Sequence, residues 1–302
     1  MDATAGGRPV MRKRMINLYP TRGTALILAA LPFILLLIGY LAASAARLAL
    51  NPDDKLLPSF ASIGAGFARM AFEADPRTGD VLLWVDTAAS LARLMAGLAI
   101  ATVMAGVFGI AIGLVPYVRT TFNGFVAVIA MIPPLAILPI LFIIFGLGET
   151  SKVALIVIGV APVVMRDMIL RVDEMPRELM VKAQTLGAST WQIALRVVVP
   201  QMMPRLIDSV RLSLCSAWLF LIAAEAIASQ SGLGYRIFLL RRYLAMDTIL
   251  PYVAWITLLA FALDFALRRL QRKAFPWKAS KPSTPSSTTP ATPPSATAPR
   301  TR

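Results

Sequence analysis

Six apolar stretches, each long enough to cross a bilayer, constrain this chain more than any other feature. An α-helix rises 1.5 Å per residue, so about 20 apolar residues cover the roughly 30 Å of hydrocarbon in a membrane. Such runs occur at residues 25–46, 91–116, 122–146, 152–170, 208–228 and 249–267. The first, ALILAALPFILLLIGYLAASAA, ends in small residues of the kind a signal peptidase cleaves. Its apolar core exceeds the roughly 7 to 15 residues of a signal sequence, so an uncleaved span is expected. With 57% hydrophobic and 15% charged residues, the composition agrees. The expectation is an all-α polytopic membrane protein with about six transmembrane helices.

Two spans carry interruptions. Gly106, Gly109 and Gly113 fall on or near one face of the second, where missing side chains allow close helix approach. Glycine is also common in membrane helices generally, so both readings stay open. Pro133, Pro134 and Pro139 interrupt the third span in MIPPLAILPILFIIFGLG. Broken backbone at membrane depth is tolerated where neighbours or a water-filled cavity satisfy it, which makes these prolines candidates for a pathway or gate.

Charge placement predicts topology. The chain has 30 Lys+Arg against 16 Asp+Glu, a formal +14. The segment 49–86, with Asp53, Asp54, Glu73, Asp75, Asp80 and Asp86, is acidic and expected outside, in the periplasm. A basic arm at 1–24, with Arg12, Lys13, Arg14 and Arg22, and the basic region after Arg268 place both termini in the cytoplasm. Residues 25–275 are then the transmembrane domain, with 173–205 a cytoplasmic loop. Arg236, Arg241 and Arg242 oppose this scheme, because they fall outside. Residues 276–302 are rich in Pro, Ser and Thr and are expected to be disordered. The patternless residues before Met11 or Met15 make either methionine an alternative start.

Most catalytic chemistry is excluded. With no histidine and one cysteine, Cys215, the chain has no His-based triad, His/Cys zinc site or internal disulfide. GLGETSK at 146–152 lacks the second glycine and Gly-Lys pair of a phosphate loop, so neither nucleotide nor any other cofactor is expected here. Cys215 is expected to pack as a small residue. Arg211 and Asp264 are expected to snorkel or pair near helix ends. Glu225 is an acid in or near the membrane and a functional candidate by default.

The loop at 173–205 contains VDEMPRELMVKAQTLGASTWQIALRVVVP. Acidic residues and Pro176 suit a helix start, Gly187 a stop, and Ser189 with Gln192 the spacing of a capping box that opens a second helix ended by Pro200. This helix, glycine turn and helix have the spacing of a DNA-binding helix-turn-helix. Yet the second helix offers base edges only Thr190, Gln192 and Arg196 among apolar residues, so no nucleic-acid partner is expected. The other use is docking on a soluble partner.

Residues 181–200 resemble the EAA loop of ABC-importer permeases, whose pattern is E-A-A, three residues, Gly, nine residues and I-x-L-P. Ala183, Gly187, Val197, Val199 and Pro200 fit, Leu186 and Ala188 flank the glycine, and Val181 and Lys182 replace the first Glu-Ala. LPS at 57–59, IPPLAILPILFIIFGLGETSK at 132–152 and AAEAIASQSGLGYRI at 223–237 resemble the nitrate/sulfonate/taurine branch of these permeases. RRYLAMDTILPYVAWITLLAF is most similar to permeases that accompany urea-carboxylase-type enzymes.

The resemblance implies a type I ABC-importer permease, not an enzyme, in the bacterial inner membrane. It would act as a homodimer in lipid, with a separate ATPase docked on the loop and a substrate-binding protein outside. The cargo implied is a nitrate-, sulfonate- or taurine-like solute, or a urea- or guanidine-like nitrogen compound. Glu225 then has two readings, attraction of a cation or a structural role near the outer gate. The alternative, an ion-coupled secondary transporter, calls for intramembrane carboxylates and paired broken helices in two halves, and the scarcity of acids in these spans and the absence of a convincing repeat argue against it.

Overall fold

A computed structural model describes residues 21–51, 54–76 and 78–278. Most of the basic arm, including Arg12, Lys13 and Arg14, the alternative starts, and all but the first residues of the Pro/Ser/Thr-rich tail lie outside the described residues. Every regular element among the described residues is helical. They are α1 Arg22–Leu50, α2 Phe60–Phe72, α3 Leu82–Leu114, α4 Pro116–Ile129, α5 Pro134–Phe145, α6 Glu149–Asp173, α7 Arg177–Thr185, α8 Thr190–Ile193, α9 Val199–Ala228, α10 Leu233–Arg241 and α11 Met246–Ala274. A 3₁₀ turn, Pro276–Lys278, follows.

The expected spans correspond to five long apolar helices and one bent pair. The bent pair is α4 with α5, set at 92° to one another across the break at Ala130–Pro133. Pro133 caps α5 and Pro134 occupies its first turn, where a missing N–H costs nothing. Pro139 does not interrupt the chain as expected, for it lies within α5. The fifth span is much longer than the sequence indicated. Thr190–Ala228 runs as one 39-residue helix, and Pro200 does not end it. A π-helical turn, Ala194–Val198, joins α8 to α9, and the Val199 N–H bonds back five residues to Ala194 O. That widened turn shifts the hydrogen-bond register just before Pro200, where a residue with no N–H is then tolerated.

The chain divides into two compact units. In the unit formed by residues 71–239 and 252–302, α3, α6 and α9 pack around Leu94, Ala101, Leu155, Ile156, Met168 and Leu221. Glycines decide how closely these helices approach. A Cβ on Gly97 would stand 2.7 Å from the Ile156 Cβ, one on Gly109 2.8 Å from the Met168 Cβ, and one on Gly113 2.8 Å from the Val172 Cβ. Gly106 meets Leu206 of α9 instead. The close-approach reading of the glycine face therefore holds. Gly97→Val forces α3 and α6 apart and is expected to cost about 1–3 kcal/mol, read as a lower melting temperature in lipid nanodiscs. An unchanged melting temperature would contradict this packing.

Arg211 pairs with Asp264 at 2.8 Å, as the sequence suggested. Cys215 departs from expectation, since it sits exposed on the outward face of α9 rather than in the core. That face is free to be apolar because bilayer or a partner, not water, is the medium beside a membrane span.

The other unit comprises residues 1–70 and 240–251. In it, α1 is apolar on all sides and almost wholly exposed, the pattern of a lipid-facing helix. It is pinned near its end by Tyr40, which donates to Pro58 O at 2.7 Å, and by Ser44, which donates to Leu57 O at 2.9 Å. The Leu56 N–H and the Arg47 guanidinium both hold the Asp54 carboxyl below its ordinary pKa.

Candidate functional site

Three features of the larger unit are candidates: the loop at 173–205, the broken span, and a cluster of charged side chains at the far end of α9.

In the loop, α7 has no buried residue. It ends in a Schellman motif in which Gly187 N–H bonds to Gln184 O at 2.9 Å and Ala188 N–H to Ala183 O at 3.0 Å. Gly187 has φ +78°, the left-handed conformation this motif needs. The capping box then forms as its spacing predicted, with Ser189 Oγ accepting from Gln192 N–H and Gln192 Oε1 from Ser189 N–H. Ala183, Gly187 and Ala188 are thus brought together. Leu186 and Trp191 project outward, 87% and 71% exposed. Val197, Val199 and Pro200 are half-buried and lie along the start of the long helix instead. The second helix that the spacing predicted is only one turn, α8, which runs on into that long helix.

At the broken span, Pro134 reaches a cavity of about 110 Å³, shared with Gly159, Pro162, Ser213, Ser216 and Phe220. Pro133 and Pro139 are exposed outside it. Glu225 does not line this cavity.

Glu225 is instead completely buried in the charged cluster. Its carboxylate accepts from Ser90 Oγ at 2.8 and 2.9 Å, from Arg93 Nη1 at 2.7 Å and from Gly234 N–H at 2.9 Å. Gly232, at φ +125°, packs so closely that a Cβ there would stand 2.5 Å from the Glu225 carboxyl carbon. Arg93 also forks onto Glu149, through Nε and, at 2.9 Å, through Nη2, and its Nη1 donates to Ser231 O at 2.8 Å. Lys152 Nζ donates to Glu149 at 3.0 Å and to Ser229 Oγ at 3.1 Å.

A second set of bonds adjoins it. Asp86, fully buried on α3, accepts from Gly232 N–H at 2.8 Å and from Arg236 Nε at 2.7 Å. Burial alone would lower the Arg236 pKa, but the hydrogen bond and charge of Asp86 outweigh it and raise the value. Charged side chains from α3, α6, α9 and α10 therefore satisfy one another and fix the turn at 229–234. Asp86 belongs to this cluster and not to the acidic surface segment, and its pairing accounts for Arg236, one of the three arginines that opposed the charge rule.

Sequence reasoning found Glu225 but missed its partners. Arg93 was hidden in the apolar run LARLMAG, and the GETSK residues read only as a false phosphate loop. A cation inside a span with an acid in another was the available signal. No group of three or more His, Cys, Asp or Glu side chains among the described residues has metal-binding geometry.

The profile of the family described as "Binding-protein-dependent transport system inner membrane component" matches residues 89–276, well over half of the chain. This chain belongs to that family. The taurine transport system permease protein TauC of Escherichia coli is 38% identical over 66% of this chain and 72% of its own. The putative aliphatic sulfonates transport permease protein SsuC of the same organism is 28% identical, over 48% and 56%. The riboflavin transport system permease protein RibX of Chloroflexus aurantiacus is 30% identical, over 49% and 56%.

Among solved structures, a chain of the MetNI methionine ABC transporter superposes with a TM-score of 0.57 at 20% identity, covering 63% of this chain and 95% of that one. At that identity the likeness establishes the fold, that of a type I importer permease. The protein is therefore a multi-pass ABC-transporter permease whose relatives belong to the taurine and sulfonate branch, not a DNA-binding protein or an ion-coupled carrier.

Proposed function

We propose that this permease forms the translocation pathway of an ABC importer for small organic anions of the sulfonate class, driven by a separate ATPase docked on residues 173–205. The observation that carries the coupling is continuity. The capped loop runs on, through the π-helical turn, into the 39-residue helix Thr190–Ala228, and at 1.5 Å per residue it is roughly 53 Å from Thr190 to the charged cluster at Glu225. A displacement of α7 and α8 by an ATPase is thereby delivered to the turn at 229–234.

In this topology the loop and both termini are cytoplasmic and the cluster faces outward, toward a substrate-binding protein. One EAA-like loop per chain favours a homodimer on two ATPase subunits, set in the inner-membrane lipid. Leu186 and Trp191, exposed on a rigid cap, suit a groove on the ATPase. Ala183 admits close approach, Gly187 sets the turn, and Val197, Val199 and Pro200 fix the path into the helix. The break at Pro133 and Pro134, with its neighbouring cavity, is the best-placed part of the pathway, and Pro139 lies farther along α5.

Two observations favour anions over urea- or guanidine-like cargo. Glu225, the acid a cation would need, is saturated by Arg93, Ser90 and Gly234. The relatives above include a taurine and an aliphatic sulfonate permease. Cells making the complete importer are expected to accumulate labelled taurine or an alkanesulfonate, and not labelled guanidine or urea. Uptake of guanidine or urea without sulfonate would overturn the substrate class.

A further inference from the structure

We infer that Arg93 and Lys152 form an anion-binding cradle in which the Glu149 carboxylate is a displaceable occupant, standing in for the sulfonate or carboxylate of an incoming solute. This rests on the anion-import reading above and adds a site to it.

The geometry separates a fixed part from a movable one. Arg93 and Lys152 are almost completely buried, with side chains 7% and 3% exposed. The Nη1 of Arg93 is committed to Glu225 and Ser231 O, neither of which can leave without undoing the buried turn. Its Nε and Nη2 point together at Glu149, and Lys152 Nζ meets one of the same oxygens at 3.0 Å. A planar fork with an ammonium beside it matches the oxygens of a small oxyanion.

Glu149 itself is 62% exposed. It is the first residue of α6, after a turn containing Gly146 at φ +73° and Gly148. Nothing lies within 4 Å of the Cβ position of either glycine, so this side of the turn is open, while Ser151 Oγ holds the Gly148 carbonyl at 2.9 Å. A cavity of about 450 Å³ opens beside the cradle, lined by Arg93, Glu149, Lys152, Leu147, Ser229 and Ser231.

Charge arithmetic points the same way. Arg93 and Lys152 balance Glu225 and Glu149. When Glu149 turns out to water it regains its hydration, while the cradle keeps one uncompensated buried positive charge, a costly condition that a monoanion relieves. A cation would find only the exposed carboxylate.

The test uses the full-length permease with its ATPase in nanodiscs, and ethanesulfonate as the probe. Occupation of the cradle by Glu149 lowers apparent affinity by the fraction of time it is vacated, so Glu149→Gln is expected to tighten ethanesulfonate binding about tenfold. Lys152→Gln is expected to weaken it about tenfold, and guanidinium is expected not to compete. Melting temperatures of both variants identify any that fails to fold. Glu149→Gln is exposed and nearly isosteric, so it carries the test if Lys152→Gln misfolds.

Unchanged or weaker ethanesulfonate binding by folded Glu149→Gln would overturn the cradle, as would competition by guanidinium. Sulfonate uptake by the intact importer, measured separately, tells the two failures apart. Uptake without the Glu149→Gln effect sinks only the cradle, and absent uptake sinks the anion-import reading.

Discussion

Glu225→Ala is expected to destabilise the end of α9 around the turn at 229–234 by about 3–5 kcal/mol, because it removes one member of a buried ion pair and leaves its other partners short of an acceptor. Arg93 would keep one carboxylate partner, the exposed Glu149. Ser90 Oγ and the Gly234 N–H would both lose an acceptor inside the protein. The turn at 229–234 packs its glycines directly on the Glu225 side chain, so the substitution also opens a void under that turn.

The expected result is a large fall in melting temperature in nanodiscs, with loss of uptake for every solute. Glu225→Gln is expected to lose less. Its amide oxygen keeps one acceptor, and the shape under Gly232 is preserved, but the ion pair with Arg93 is gone. A Glu225→Ala protein that melts normally and changes only its preference between cationic and anionic solutes would show that the acid reads the substrate, contrary to the assignment made from its contacts.

Much of this architecture was legible in the chain, and the reasons differ between elements. The spans were readable because the bilayer demands long apolar runs, whereas Gly106, Gly109 and Gly113 fitted close helix approach and ordinary membrane-helix composition equally. The capping box at Ser189 and Gln192 and the stop at Gly187 were readable because they depend on neighbours only a few residues away.

Other features failed where tertiary context set the outcome. Pro200 read as a stop because an α-helical register forbids it, and the π-helical turn before it removes that conflict. Asp86 read as surface acid because its neighbours in sequence are acidic, whereas its partner, Arg236, is 150 residues distant. Arg93 drew no attention for the same reason: its carboxylates lie on α6 and α9, and their pairing is a property of the packed helices.

Gly187→Asp is expected to abolish ATP-driven uptake and weaken association with the ATPase, while leaving the permease folded in the membrane. The two halves of this expectation follow from one geometry. Gly187 has a left-handed φ of +78°, and a Cβ there would meet nothing within 4 Å. The strain of a side-chain-bearing residue is then limited to the conformational cost, about 1–2 kcal/mol for an ordinary residue and less for aspartate, which is too little to unfold the protein. What changes is the outward surface of the cap, where a carboxylate now stands beside Leu186, on the face where the proposed docking brings the ATPase to the turn.

Asparagine tolerates the left-handed conformation as well and adds no charge, so Gly187→Asn is expected to retain part of the activity. The comparison separates backbone strain from a blocked and charged docking surface. Co-purification with the ATPase and uptake by the complete importer provide the readouts, with melting temperature as the control. Wild-type uptake by Gly187→Asp would remove the loop from the coupling path, and the long helix from Thr190 to Ala228 would then need a different driver.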